Sequence, residues 1–254
     1  MNHLIADTAT LTGRILKHNV RSPDTIMTIL AMPLLMLLAF VFVLGGAMNT
    51  GSIRYVDFVV PVVLLMCIAT GVGYTAFRVN RDVTDGTFTR FRAMPIARPA
   101  LIGGHVVASV IVNAVSVVLI LAVALLIGYR PGAGLGGWTV TAVILVLTLV
   151  AFSVMGVTFG LAAKSDEGAS VFSYLVIGLL FVSSGFAPTE TMPRALQAFA
   201  EHQPMTAIID AIRNAQLAMP DAGAALAATL WLAGIAALFA ALAAAAHRRV
   251  KLRT

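Results

Sequence analysis

Charge is the scarcest commodity in this 254-residue sequence: Asp, Glu, Lys and Arg together make up 11% of it, against about 25% in a soluble domain. Cysteine is nearly absent too. The single copy, Cys67, cannot form an internal disulfide, which excludes a disulfide-stapled secreted scaffold. Histidine occurs five times, at 3, 18, 105, 202 and 247, without HExxH spacing, so a zinc-protease centre is excluded. There is no GxSxG elbow. Nor is there a GxxxxGK[ST] loop: the only Lys followed by Ser or Thr is Lys164, and Ala163 stands before it. The chain therefore does not bind ATP through a P-loop.

What the sequence has in abundance is apolar surface. Hydrophobic residues make up 59%, and there are 21 glycines besides. A soluble core of this size cannot hide that much, because much of any small fold lies at its surface. Six runs carry no Asp, Glu, Lys or Arg: 25–53, 58–77, 99–129, 131–163, 168–189 and 222–247. A bilayer crossing takes about 20 residues. The expectation is an all-α polytopic membrane protein with six transmembrane helices, near 25–47, 58–77, 101–128, 138–163, 169–187 and 224–246. A barrel would need apolar and polar residues to alternate, whereas 115–127 is apolar on every side but for Ser116. Helices also satisfy their own backbone in lipid.

Six spans put both termini on one side, and the cations say which. Thirteen Lys and Arg fall on the side of the termini and four, Arg54, Arg130, Arg194 and Arg213, on the other. By the positive-inside rule both termini are cytoplasmic. The net charge of +6 is then a topology signal and an attraction to anionic lipid, not a nucleic-acid footprint. The first apolar run is too long for a signal-peptide core, so no cleaved leader is expected.

Three polar stretches interrupt the membrane pattern. In 1–24, Arg14, Lys17 and Arg21 share one stripe while Leu4, Leu11, Ile15 and Leu16 lie broadly opposite. This predicts an amphipathic helix at the headgroup layer, either as an anchor or against a partner. In 78–100, Asp85-Gly86 signals a turn, Phe88 and Phe91 lie three apart beside Arg90 and Arg92, and Pro95 stops the helix. Such aromatic knobs suit a groove on a cytoplasmic partner, or they anchor a positive-inside loop at the interface. In 188–223, Pro193 and Pro204 each sit where a helix begins, predicting short helices at about 193–202 and 204–217. In the second, Asp210 and Arg213 can pair at i,i+3. This hairpin is an interfacial connector or a cap over an exit. Gly156 and Gly160 form a GxxxG pattern that permits close helix approach, inside the chain or between copies. Pro33 and Pro61 allow kinks in the first two spans. His105 reads as interfacial. No charge lies deep in a span, which disfavours an ion-coupled carrier.

In order, these stretches resemble the membrane subunits of type-2 ABC exporters, in the daunorubicin and multidrug-resistance permease branch. Pro23-Asp24 through Pro33 and then Phe40 to Gly46 look like the family's first span. Arg81-Asp82, Asp85-Gly86-Thr87-Phe88, Arg90 and Met94-Pro95 look like its first cytoplasmic loop, RE…GTFERxRxxPI. Ser184 to Pro188, Met192-Pro193, Gln203-Pro204-Met205-Thr206 and Asp210 to Arg213 look like its signature, SGxFxPxxxMP…NPxTxxxxxxR. Thr89 replaces a frequent Glu and Gln203 a frequent Asn.

The resemblance implies a single permease domain over the whole chain, with 1–24 as an elbow helix and 188–223 as a short external helical hairpin between spans five and six. It implies no cofactor on this chain, with ATP and magnesium bound by two copies of a separate cytoplasmic ABC ATPase, and a second permease copy in a homodimer. Coupling to the ATPase falls on Arg81, Asp82, Asp85, Gly86, Thr87, Phe88, Arg90, Phe91, Arg92 and Pro95. The path between protomers is lined by spans two and five, at residues such as Leu65, Thr70, Phe172, Tyr174, Val176, Phe181 and Ser184. The outer gate comprises Pro188, Met192, Pro193, Pro204, Asp210 and Arg213. The function implied is outward transport of a hydrophobic or amphipathic compound, a drug, antibiotic or lipid-like molecule, across the plasma membrane by alternating access. A non-transporting membrane scaffold that docks a cytoplasmic protein is the alternative.

Overall fold

The computed structural model describes residues 2–20, 23–47, 53–88, 98–219 and 221–250. Among these there is no strand. The helices are α1 (Asn2–Val20), α2 (Pro23–Leu38), α3 (Tyr55–Thr84), α4 (Arg98–Leu126), α5 (Leu135–Ala162), α6 (Asp166–Phe181), α7 (Arg194–His202), α8 (Pro204–Gln216) and α9 (Ala222–Val250). A π-helical stretch, Ala39–Leu44, prolongs α2, and a short 3₁₀ turn, Thr189–Thr191, precedes α7.

Four of these helices, α3, α4, α5 and α9, are long and apolar enough to cross a membrane. The first expected span is a shorter apolar helix, Ile29–Leu44. The fifth differs from its expected reach of 187, because α6 stops at Phe181 after 16 residues. The physical cause is local capping. Ser183 Oγ donates to Leu180 O, Gly185 N–H donates back to Ser183 Oγ, and Gln203 Nε2 donates to the carbonyls of Leu179 and Val182. The last carbonyls of α6 are thus satisfied by side chains instead of another turn of helix.

Helix α3 is the axis of the bundle. Its most apolar window is 89% buried, against 11% for α9, and it packs against α2, α4, α5, α6 and α8. Apolar character alone does not make a centre in lipid, where tails are as apolar as leucine. Small residues that let backbones approach do. Gly71 lies so close to Asn113 of α4 that a methyl group would overlap its amide, and Gly73 meets Ser173 of α6 in the same way. The Gly156–Gly160 pair of α5 is used against α3: a Cβ on Gly160 would lie 2.5 Å from Ala76 O and 2.8 Å from Val79 Cβ. The pattern is thus an internal helix contact, not a face between copies.

Helix α1 lies on α4 and also touches α2. Leu11 and Thr12 are buried, with Leu11 Cβ against Gly104. The apolar side is narrower than expected: Ile15 and Leu16 are half-buried and Leu4 is exposed, as are Arg14, Lys17 and His18. Arg21 lies outside the described residues.

Candidate functional site

Two polar assemblies stand at opposite ends of α3. At its C-terminal end the helix is closed by Asp85, whose N–H donates to Arg81 O, and by Gly86 in the left-handed region at φ 71°. A Gly there carries no Cβ penalty, so the Asp-Gly signal produces the turn. Arg81 and Asp85 remain exposed, 3.9 Å apart, an ion pair of little energetic weight. Asp82 turns inward, its Oδ2 3.4 Å from His105 Nε2, and Thr87 is half-buried.

Phe88 departs from the expectation of a projecting knob. It is 7% exposed and belongs to one buried apolar cluster with Leu11 of α1, Val79 of α3, Ala100 and Leu101 of α4, and Val157 and Leu161 of α5. Its ring stacks on His105 at 5.9 Å. Burying an aromatic ring contributes far more than exposing it, so the turn at Gly86 folds it back under α1. Of the other residues expected in this segment, Arg90, Phe91, Arg92 and Pro95 lie outside the described residues.

At the other end, Arg213 of α8 is 7% exposed and gathers three elements. It pairs with Asp210 at 3.1 Å. Its Nη2 donates to Ser184 O at 2.7 Å and to Phe58 O at 3.2 Å, and its guanidinium lies 3.8 Å over the Phe58 ring. Ser184 Oγ in turn donates to Asp210 at 2.6 Å. Burial pushes the Asp210 carboxyl above its usual range and the Arg213 guanidinium down to about 10, each partly offset by the other's charge. The hairpin is therefore fastened to the bundle, with Met205, Ile208, Ile209 and Ile212 buried in the same core as α3. Pro204 opens α8 and Pro193 caps α7. Pro188 and Met192 are half-buried and Pro193 is exposed. Nearby, Asp57 accepts from Arg54 and from the backbone N–H of Arg130, tying the α4–α5 turn to the start of α3.

The seven residues expected along a path do not share one surface in the single chain. Leu65, Phe172 and Val176 are buried within the bundle. Thr70 is half-buried and donates to carbonyls of its own helix, Met66 and Cys67. Tyr174 and Phe181 are exposed on the outer face of α6, Tyr174 at 71%, beside Val171 and Leu175. Ser184 belongs to the Arg213 assembly.

Sequence reasoning placed Asn113 as a polar group at depth but missed the seam it joins in the middle of the bundle. Thr75 of α3 and Ser153 of α5 both reach Ser109 Oγ of α4, at 3.0 and 2.9 Å, and Asn113 Nδ2 donates to Ser109 O. The i,i+4 spacing of Ser109 to Asn113 was the available signal for the rest. Asn80, also overlooked, donates to the carbonyls of Gly160 and Ala163 at the end of α5. Among the described residues no cluster of His, Cys, Asp and Glu could hold a metal.

Residues 7–217 match the family described as ABC-2 type transporter. The chain is 33% identical over 195 residues to the daunorubicin resistance ABC transporter permease protein DrrB1 of Streptomyces coeruleorubidus, covering 76% of this chain and 68% of the relative. It is 25% identical over 251 residues to the probable doxorubicin resistance ABC transporter permease protein DrrC of Mycobacterium tuberculosis, covering 96% and 89%. A helical bundle with membrane-length spans, matched over most of its length, belongs to the ABC-2 type transporter family as an ABC transporter membrane subunit.

Proposed function

We propose that the chain exports a hydrophobic or amphipathic compound, of the kind named for its drug-resistance relatives, using ATP hydrolysed by a separate subunit. In this reading α2 with its π-helical extension and α6 complete six spans, both termini face the cytoplasm of the plasma membrane, and α1 is the elbow helix. Two permease copies form the path and two ATPase copies bind beneath, at the segment that follows α3. The exposed face of α6, with Tyr174 and Phe181, turns toward the path between copies. The assembly of Asp210, Arg213 and Ser184 closes the outer end, together with Pro188, Met192, Pro193 and Pro204. Alternating access follows when the ATPases close and push the segment around Asp85 to Pro95.

The observation that carries this reading is the anchoring of Phe88. Its ring is buried in an apolar cluster drawn from α1, α3, α4 and α5, so a push on the following residues bears on that shared cluster. The contact with the ATPase then falls on the exposed Arg81 and Asp85 and on Arg90, Phe91 and Arg92, while Phe88 serves as the root of the lever. The test is purification of the tagged chain from its native membrane. An ABC ATPase is expected to accompany it, and efflux is expected to stop with vanadate and to survive a protonophore. Charge reversal at Arg90 and Arg92 is expected to release the ATPase. A chain that carries no ATPase, or efflux abolished only by the protonophore, overturns the reading in favour of a scaffold or an ion-coupled carrier.

A further inference from the structure

The side chain that binds the α1 end of the bundle together is His105, on the second turn of α4. It is 6% exposed, and it grips the chain on both sides of the turn at Gly86. Before the turn, its Nε2 lies 3.4 Å from Asp82 Oδ2. After the turn, its ring stacks on Phe88 with 14° between planes. The surrounding charges converge on the same point: Arg78 of α3 and Arg14 of α1 both act on the Asp82 carboxylate. Leu11, Arg14 and Ile15 of α1 close a hollow of about 10 Å³ around Asp82, Phe88 and His105. That volume holds no more than a water molecule, so the three elements are in contact and there is no room for a ligand between them.

On its other side His105 borders a second hollow of about 20 Å³, with Asn19, Arg78, Thr75 and Ser109 in its wall. The Asn19 side-chain oxygen has no partner there. The hollow has room for one water with several polar neighbours. Ser109 is the centre of the mid-bundle seam that joins α3, α4 and α5. One imidazole therefore stands between the segment after Gly86 and the polar contacts deep in the bundle.

We propose that His105 is the positioning residue through which displacement of the segment after Gly86 is passed to α4. The inference rests on the reading of that segment as the ATPase-coupling loop. A histidine suits the task because it presents a flat ring to Phe88 and an N–H to Asp82 at the same time. Leucine offers neither, glutamine only the donor, and phenylalanine only the ring.

These three replacements separate the two grips. The one native cysteine, Cys67, is buried, so a Thr87→Cys reporter can be labelled with a maleimide in membrane vesicles containing the full permease and its ATPase. Against that reporter alone, His105→Leu is expected to raise the labelling rate on the order of tenfold, the effect of losing a charge-assisted hydrogen bond. It is also expected to lower the amount of drug exported per ATP hydrolysed by a similar factor. His105→Gln and His105→Phe should each recover part of both losses. Unchanged labelling in His105→Leu overturns the inference. So does a fall in export and hydrolysis in equal proportion, which marks a purely structural role. Wild-type vesicles that show no ATP-dependent export overturn the coupling reading itself and the inference with it, and that arm is read before any variant is compared.

Discussion

Removing the Arg213 side chain tests the outer assembly most directly. Arg213→Ala deletes the 3.1 Å pair with Asp210, the bonds to Ser184 O and Phe58 O, and the 3.8 Å stack on the Phe58 ring. Loss of one partner from a buried ion pair costs about 3–5 kcal/mol, and a desolvated cation–π contact about 2. These do not add, because one guanidinium makes them all. The structure also lowers the figure: Asp210 is about a third exposed and keeps the Ser184 hydroxyl at 2.6 Å, so the carboxylate is not stranded. The orphaned group is the Ser184 carbonyl, at about 1–3 kcal/mol, because the Phe58 carbonyl lies within α3 and keeps the backbone N–H of Val62. A net loss of about 3 kcal/mol follows, or a Tm lower by about 6–12 °C for a chain of this length. Thermal unfolding in detergent, followed by fluorescence and by size-exclusion recovery, measures it. Arg213→Lys should recover less than half, because an ammonium cannot serve several carbonyls and stack on a ring. The deficit should also depend on pH. With its counter-charge gone, the already raised Asp210 pKa rises further in the folded variant. Stability from a raised carboxyl is present at low pH and lost as pH climbs through the folded pKa, so the deficit is larger at pH 8 than at pH 5. A loss below about 1 kcal/mol, or full rescue by lysine, would refute the reasoning, since either means the carbonyls and the stack do not depend on this geometry.

Two further substitutions probe how the bundle is held. Gly160→Leu forces a side chain into the Ala76 backbone, which cannot swing aside, and overpacking of this kind costs about 1–3 kcal/mol; melting in detergent should show it, with the oligomeric state by light scattering unchanged. A change of oligomeric state without a change of stability would return the glycine pair to a face between copies. Gln203→Leu leaves the carbonyls of Leu179 and Val182 without their donor, a cost of about 1–3 kcal/mol, and hydrogen exchange should then rise first at the α6 terminus. Unaltered exchange there would mean that the turn at Ser183 and Gly185 caps α6 on its own.

Much of the local structure was legible because it depends on neighbours in sequence. Pro204 places the start of α8, Asp85-Gly86 makes a turn, and Asp210 pairs with Arg213 one helical turn away. Readings that depended on which way a residue faces fared differently. Phe88 and Phe91 looked like a pair of knobs, yet Phe88 is turned inward because a ring beside a histidine and two leucines is better buried than exposed. Leu4 looked like part of an apolar stripe, yet only the part of α1 near Leu11 meets α4. The seven expected path residues scatter because spacing on one helix says nothing about which neighbour each face meets. Arg54 and Asp57 fell at the edge of a run chosen for its lack of charge, so their role at the α4–α5 turn went unseen.

The sequence by itself determined the solvent of this protein. Where charge is absent over 20 residues or more, the backbone must satisfy itself as helix, and the remaining charge is driven to the ends. It also determined that no ATP loop lies within the chain. Only the tertiary structure decided which helix is central, and that Gly156 and Gly160 serve α3. It alone showed that Arg213 reaches Phe58, 155 positions away, and that His105 grips both sides of one turn. The physical reason is that partition into a bilayer is a sum over residues along the chain. Helix contacts in lipid have no hydrophobic gradient to guide them and depend on close fit between residues far apart in sequence.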